Sequence, residues 1–401
     1  MNRRVAITGM GVISAIGKNV AENYFALTHN KTGIAPVKRI HTIHNDILLG
    51  EVKYTSTELQ QMMSDIDWNA LQKLTRTGIL GLYAIREALA QAQIADINEF
   101  RTGFINATDV GGMDVTENYF LNFEEQDADI QDYIHAHDMG AMTNVMAAML
   151  GLKGMVTTIS TACSSAANAM MLGARLINSG RLDRVIVGGT ESLSRFTING
   201  FKTLMIFSDA PNRPFDEHRK GLNLGEGAGY LILESENMIQ KSGKEVIAYL
   251  SGWGNANDAF HQTASSDEGI GATLAMQQAL QVAGLHATDI DYINAHGTAT
   301  PNNDFSESQA LMNVFGDQLP PFSSTKPFTG HTLAASAGIE SVYSILALQN
   351  QILYPNLNFD TPMSSHPYVP LTSLQEAPIQ HVLSNAFGFG GNCSSLIFSK
   401  A

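Results

Sequence analysis

One pattern, stated twice, constrains this chain more than any other. Residues 5–17, VAITGMGVISAIG, form a β-prone apolar run that carries a Gly-x-Gly pair, read here as a turn. Residues 246–258, VIAYLSGWGNAND, repeat it. Each copy is followed far downstream by a second shared device: a Ser/Thr strand end, a reactive polar residue, then a helix of small residues. The first copy has ISTACSSAANAMMLGARLI at 159–177, and the second has SSTKPFTGHTLAASAGIESVYSILAL at 323–348. Two related halves are expected, 1–245 and 246–401, breaking near 236–244 where charged and polar residues gather.

Strands and helices alternate along both halves. Strands are expected at 4–8, 103–107, 156–159, 184–188, 229–233, 292–295 and 394–398. Helices are expected at about 71–91, 164–179, 273–283 and 333–349. Such alternation argues for an α/β layered fold.

Composition narrows the function. The formal net charge of −14 comes with no cluster of Lys and Arg, which excludes general nucleic-acid binding. An acidic protein partner would need a local basic patch. The acidic segment 123–138 is expected to be a surface excursion. Only two cysteines, Cys163 and Cys393, are present, so a disulfide framework is not expected and a reducing cytoplasm fits. No apolar run reaches the ~18 residues that a membrane helix needs, so no membrane span is expected. The glycine-punctuated N-terminus is read as a strand rather than a signal peptide.

Four constellations bear chemistry. Cys163 stands at a strand–helix junction among small neighbours, where the positive end of the helix dipole favours a thiolate. In NAHGTATPNND (294–304) a strand delivers His296 into a turn whose Thr298 and Thr300 hydroxyls suit a polar ligand. In STKPFTGHTLAASAGIES (324–341) Lys326 and His331 flank a helix start. In NAFGFGGNCSS (385–395) glycines around Phe389 leave backbone N–H groups free, as an oxyanion hole requires. Taken singly, each of the four reads more simply as structure. The histidine pairs 41/44 and 135/137 lack a second ligand cluster, so no metal is expected. Two other patterns are discounted: Ser323 to Lys326 as an S-x-x-K signature, and Gly9-Met-Gly11 as a dinucleotide fingerprint, whose third glycine is missing.

Taken together, TACSS, NAHGTxTPxxD, STKxxTGH and GFGG, in that order, resemble the β-ketoacyl-acyl carrier protein synthases. VIVGGTES (185–192) and RPFDEHRKGLNLGEGAG (213–229) extend the resemblance to essentially the whole chain. It implies a thiolase-like fold of two pseudo-symmetric halves, in αβαβα layers with mixed sheets. It also implies a decarboxylating condensation of an acyl thioester with malonyl-acyl carrier protein, serving fatty acid or polyketide synthesis. By the resemblance, Cys163 takes the acyl chain, while His296 and His331 serve decarboxylation and stabilise the enolate. Lys326 orders the site with Asp304 or Glu340. The N–H groups of Cys163 and Phe389 form the oxyanion hole, and the Phe389 ring gates the acyl pocket. Thr298 and Thr300 bind the phosphopantetheine arm, and Val110 limits pocket depth. No cofactor is implied beyond the phosphopantetheine of the carrier partner. A homodimer is the usual form, and a heterodimer with a related subunit is the other arrangement. Carrier docking is assigned to Lys73, Arg76 and Lys202.

Three departures stand out. GFGGTN becomes GFGGNC, which brings Cys393 close to the active-site loop. GHLLGAAG becomes GHTLAASAG, with Ala334 and Ser336 adding bulk or polarity. Basic residues common in the region 127–133 are replaced by acidic ones. Two alternatives are carried forward: a non-catalytic chain-length partner subunit, and a coenzyme A-dependent thiolase using a second cysteine.

Overall fold

The protein is seen in a computed structural model that describes residues 5–119, 136–366 and 368–401. The acidic segment read as a surface excursion lies largely outside the described residues, as does His135.

The first half supplies five strands to the large sheet: β1 (Val5–Ile13), β2 (Thr102–Ala107), β3 (Val156–Ile159), β4 (Arg184–Glu191) and β5 (Gly227–Glu234). The second half supplies five more: β6 (Ala248–Asn257), β7 (Tyr292–Asn294), β8 (Phe322–Ser323), β9 (His381–Phe387) and β10 (Asn392–Ser399). The spatial order is β8-β7-β9-β10-β6-β1-β5-β4-β2-β3. Read outward from the middle, it is 1-5-4-2-3 on one side and 6-10-9-7-8 on the other, the same order twice. The senses match as well. β2 runs parallel to β3 and β4, as β7 does to β8 and β9. β5 is antiparallel to β1 and β4, as β10 is to β6 and β9. Short antiparallel pairing of Val5 with Leu250 joins the two units, so the mixed sheets expected separately run on as one.

The helices that position the site are α1 (Arg76–Gln91), α2 (Met139–Met149), α3 (Ser165–Asn178), α4 (Arg195–Thr203), α5 (Ile270–Ala283), α6 (Pro301–Phe315) and α7 (Ser336–Asn350). α3 and α7 touch each other and strands of both halves, so they form the middle layer. This is why they read as small and apolar: every residue of α7 from Ser336 to Leu348 is buried. α1 covers β1, β4 and β5 on one outer face, and α5 covers β6 and β10 on the other. Each large aliphatic side chain sealed between these layers contributes about 1.5–3 kcal/mol.

The two Gly-x-Gly pairs do not make turns. Both lie inside strands, β1 and β6. A Cβ at Gly11 would stand 2.0 Å from the carbonyl oxygen of Ala84 in α1, and one at Gly254 2.0 Å from that of Ala275 in α5. The glycines let an outer helix lie directly on the first strand of its half, a close-approach use of glycine. β9 was not expected as a strand, and α1 begins at Arg76 rather than 71, after a Thr75 N-cap.

Candidate active site

Cys163 is presented by a strained corner. β3 ends at Ile159, and Ala162 takes a left-handed φ of 54°. α3 then begins at Ser165. A left-handed non-glycine residue costs about 1–2 kcal/mol, and neighbouring bonds offset that cost. Ser165 Oγ donates to Ala162 O at 2.6 Å and to Asp109 Oδ1 at 2.8 Å in alternation, and accepts from Thr161 N–H at 2.7 Å. Gly388 packs against this corner, where a Cβ would stand 2.8 Å from Thr161 O.

The thiol is 5% exposed. Burial first, then the nearby Asp109 carboxylate, push it up to about 12 against the opposing pull of Lys326. The backbone N–H groups of Phe389 and of Cys163 itself also face the sulfur and lower it. Burial opposes the helix terminus, and the direction favours the thiol over the expected thiolate.

Both histidines are buried, with ring centroids 5.4 Å apart at 84°. Lys326 Nζ stands 3.3 Å from His296 Nδ1 and donates to His296 O and Glu340 Oε1, each at 2.6 Å. An ammonium has no lone pair, so His296 Nδ1 accepts and its proton sits on Nε2. His331 has the same tautomer, because Leu333 N–H donates to its Nδ1 at 3.3 Å. Ser336 Oγ lies 2.9 Å from that nitrogen as well. Burial first, then Lys326, holds both imidazoles well below their usual range. The result is two neutral rings, each with an Nε2–H donor.

Of the two carboxylates considered for Lys326, Glu340 is the one it meets. Asp304 instead accepts from Phe215 N–H at 2.7 Å and Ala299 N–H at 3.1 Å, with Arg219 3.8 Å away. It braces the His296 loop against the segment before Gly221. Glu307 was missed. It accepts from the N–H groups of His296 and Gly297, both at 2.8 Å, and burial raises it to about 7. The available signal was its position three residues after Asp304, which puts both acids on one face of α6.

Two cavities meet at the thiol. The first, about 310 Å³, is lined by Cys163, His296, His331, Thr298, Thr300 and Phe389, among others. The second, about 420 Å³, holds Cys163, Asp109, Val110, Phe196, Leu333 and Phe389. Phe389 lies between them, stacked on Phe201 at 5.8 Å. The sequence-derived residues are therefore brought together, with Asp304 set behind the His296 loop.

One expectation is overturned, at Arg76, and the second-cysteine alternative loses support. Cys393 follows directly on the Phe389 loop, as expected, but it lines neither cavity, and its side chain packs in the apolar cluster with Met276 and Phe387. A second-cysteine acid/base has no place here. Arg76 is not a surface cation: it is clamped on Glu226 at 2.6 and 2.8 Å, with little exposure. Lys202 pairs with Asp46 at 2.8 Å, and Lys73 is exposed with no ion-pair partner among the described residues. Ser323, from the discounted S-x-x-K pattern, bonds Tyr292 rather than Lys326.

A buried thiol at a helix start, two neutral imidazoles and a pair of backbone N–H groups define the class: a thiolase-fold enzyme that works on thioesters. Comparison with known proteins is specific. The Beta-ketoacyl synthase N-terminal domain matches residues 2–238, and the C-terminal domain matches 247–360. The chain belongs to the beta-ketoacyl synthase family. It is 33% identical to 3-oxoacyl-[acyl-carrier-protein] synthase 2 of Staphylococcus aureus (strain COL), over 100% of this chain and 99% of that protein. The ishigamide ketosynthase/chain length factor structure superposes with a TM-score of 0.92 at 29% identity, covering 100% of this chain and 99% of that one. A type II polyketide ketosynthase in complex with its acyl-carrier protein, AntDE:AntF, superposes at 0.88 with 27% identity, covering 100% of both.

Proposed function

We propose that this chain is the catalytic subunit of a decarboxylating condensation. It joins an acyl group carried on Cys163 to malonyl-acyl carrier protein and yields a 3-oxoacyl-acyl carrier protein. The observation that carries the reading is the meeting of Cys163, two neutral Nε2–H donors and two backbone N–H groups around one cavity.

The chemistry follows in two halves. In the first, the sulfur of Cys163 attacks the incoming acyl thioester. The carbonyl oxygen takes up negative charge against the N–H groups of Cys163 and Phe389. The carrier leaves as a thiol, taking the proton that Cys163 gives up. In the second, malonyl carrier loses carbon dioxide. Its thioester oxygen becomes an enolate oxygen between the Nε2–H groups of His296 and His331. Each such donor contributes roughly 3 kcal/mol. The enolate carbon attacks the acyl-cysteine, and the sulfur is expelled as a thiolate, which takes one proton from solvent to restore the thiol. Lys326 acts through the rings, keeping both neutral and fixing His296.

The intact nucleophile and both donors favour a catalytic subunit over a chain-length partner, and the core position of Cys393 disfavours a thiolase. We take residues 1–245 and 246–401 as its two halves. The partner is an acyl carrier protein, with Thr298 and Thr300 along the path of its phosphopantetheine arm. The working form is a dimer with itself or a related subunit, in the cytoplasm, where thiols stay reduced. Among the described residues no helix is long and apolar enough to cross a membrane.

Intact-mass analysis after incubation with acyl-carrier thioesters of graded length tests the reading. One acyl group is expected, and peptide mapping is expected to find it on Cys163. Acylation of Cys393 with Cys163 untouched overturns the reading.

Pocket depth gives a second prediction. Val110 lines the second cavity beside Cys163. Val110→Phe overfills that space, at about 1–3 kcal/mol for a long chain. In competition between short and long acyl carriers, the variant is expected to shift toward short chains by about tenfold or more. An unchanged preference removes Val110 from the acyl path.

A further inference from the structure

We propose that Asn392 is a positioning residue that holds the two N–H donors of the oxyanion hole in register. The inference rests on the reading of Cys163 as acyl acceptor. The two donors come from opposite halves of the molecule: Cys163 from the corner between β3 and α3, Phe389 from the hairpin between β9 and β10. Close packing of Gly388 on the Cys163 corner brings them together, but packing alone does not fix their direction.

Asn392 reaches both. Its backbone closes the Phe389 loop, because Asn392 O accepts from Gly388 N–H at 2.8 Å. Its side chain crosses to the nucleophile. Asn392 Oδ1 lies 2.8 Å from Ser164 Oγ, the residue next to Cys163, and accepts from Asn168 Nδ2 in α3 at 2.9 Å. Asn255 Nδ2, on β6, donates to the same oxygen at 2.7 Å. A carbonyl oxygen has two lone pairs. Only two of its three neighbours donate to it at once; when both amides do, the Ser164 proton goes to Thr161 O at 2.7 Å.

This position is one of the departures from the family pattern, which has GFGGTN where this chain has GFGGNC. A threonine hydroxyl sits on Cβ, whereas the amide oxygen of asparagine lies one bond further out. The longer side chain, met by Asn168 and Asn255, spans from the Phe389 loop to the Cys163 corner. Hydrogen bonds weaken steeply as they bend, so a small relative shift of the two segments misaims a donor.

The test separates oxyanion stabilisation from thiol access. Acyl transfer to Cys163 passes through an oxyanion, whereas alkylation of the same thiol by iodoacetamide does not. Asn392→Ala is expected to slow single-turnover acylation by about 10- to 100-fold. The KM for the acyl thioester is expected to stay within about twofold of the native value, and alkylation, which feels the two donors only through the proton affinity of the thiol, is expected to fall far less than acylation. Asn255→Ala, which removes one donor and leaves Asn392 in place, is expected to slow acylation about three- to tenfold, with alkylation again affected far less. It carries the test if Asn392→Ala does not fold. Acylation at the native rate, or equal losses in acylation and alkylation, overturns the proposal. A native protein that is alkylated at Cys163 but never acylated there overturns the functional reading instead.

Discussion

Replacing His296 or His331 by Ala is expected to lower malonyl decarboxylation by about 100-fold or more, while acylation of Cys163 stays within about tenfold of native. In the proposed assignment the two half-reactions use different donors. Acyl transfer develops its charge against backbone N–H groups, which these substitutions leave in place. Decarboxylation develops charge on the malonyl thioester oxygen, where only the two Nε2–H groups are available. Release of carbon dioxide from malonyl carrier, set against single-turnover acylation, reads both. A variant that decarboxylates normally but cannot be acylated reverses the assignment. The pH profile follows with its sign. Both rings are held well below their usual range, so they stay neutral as pH falls through 6.5, where an ordinary imidazole gains its proton. Decarboxylation by the native enzyme is therefore expected to be flat across that region. An acid limb at the ordinary histidine value sinks the claim of two neutral donors.

Lys326→Met is expected to destabilise the fold by about 3–5 kcal/mol, read as a lowered urea midpoint. Lys326 and Glu340 are both buried and 2.6 Å apart. Removing the lysine leaves the glutamate sealed away from water without its cation. The double variant Lys326→Met/Glu340→Leu removes both charges and is expected to recover most of that loss. If it is as unstable as the single variant, the pair is not what the stability depends on. The positive charge of Lys326 also lowers both histidines, so its removal raises them. Decarboxylation by Lys326→Met is expected to gain an acid limb that moves toward neutral pH. A profile identical in shape to native shows that burial alone keeps the rings neutral.

Much of this candidate site is legible in the sequence. The strand at Val156–Ile159 and the helix that follows Cys163 stand where their patterns predicted, because both follow from local rules of period and small-residue packing. The four chemical motifs were also local, each a few residues around a strand end, so Cys163, His296, Lys326, His331 and Phe389 could be named. Other features were legible but misread. The paired Gly-x-Gly segments were seen as a repeat, yet read as turns. A glycine that makes room for a helix looks the same in sequence as one that makes a bend.

The sequence by itself named the side chains proposed to carry the chemistry, and showed that the chain repeats one plan twice. Tertiary structure alone decided which of those side chains meet. It chose Glu340 over Asp304 for Lys326, and set Glu307 under the backbone of His296. It locked Arg76 onto Glu226 and turned Cys393 into the core. It also brought Asn392 against Ser164, and burial kept Cys163 a thiol. The physical reason is common to all of these. A backbone period is a property of neighbours along the chain. A carboxylate's partner and a thiol's proton affinity depend on what two distant halves exclude from water when they close around the same two central helices.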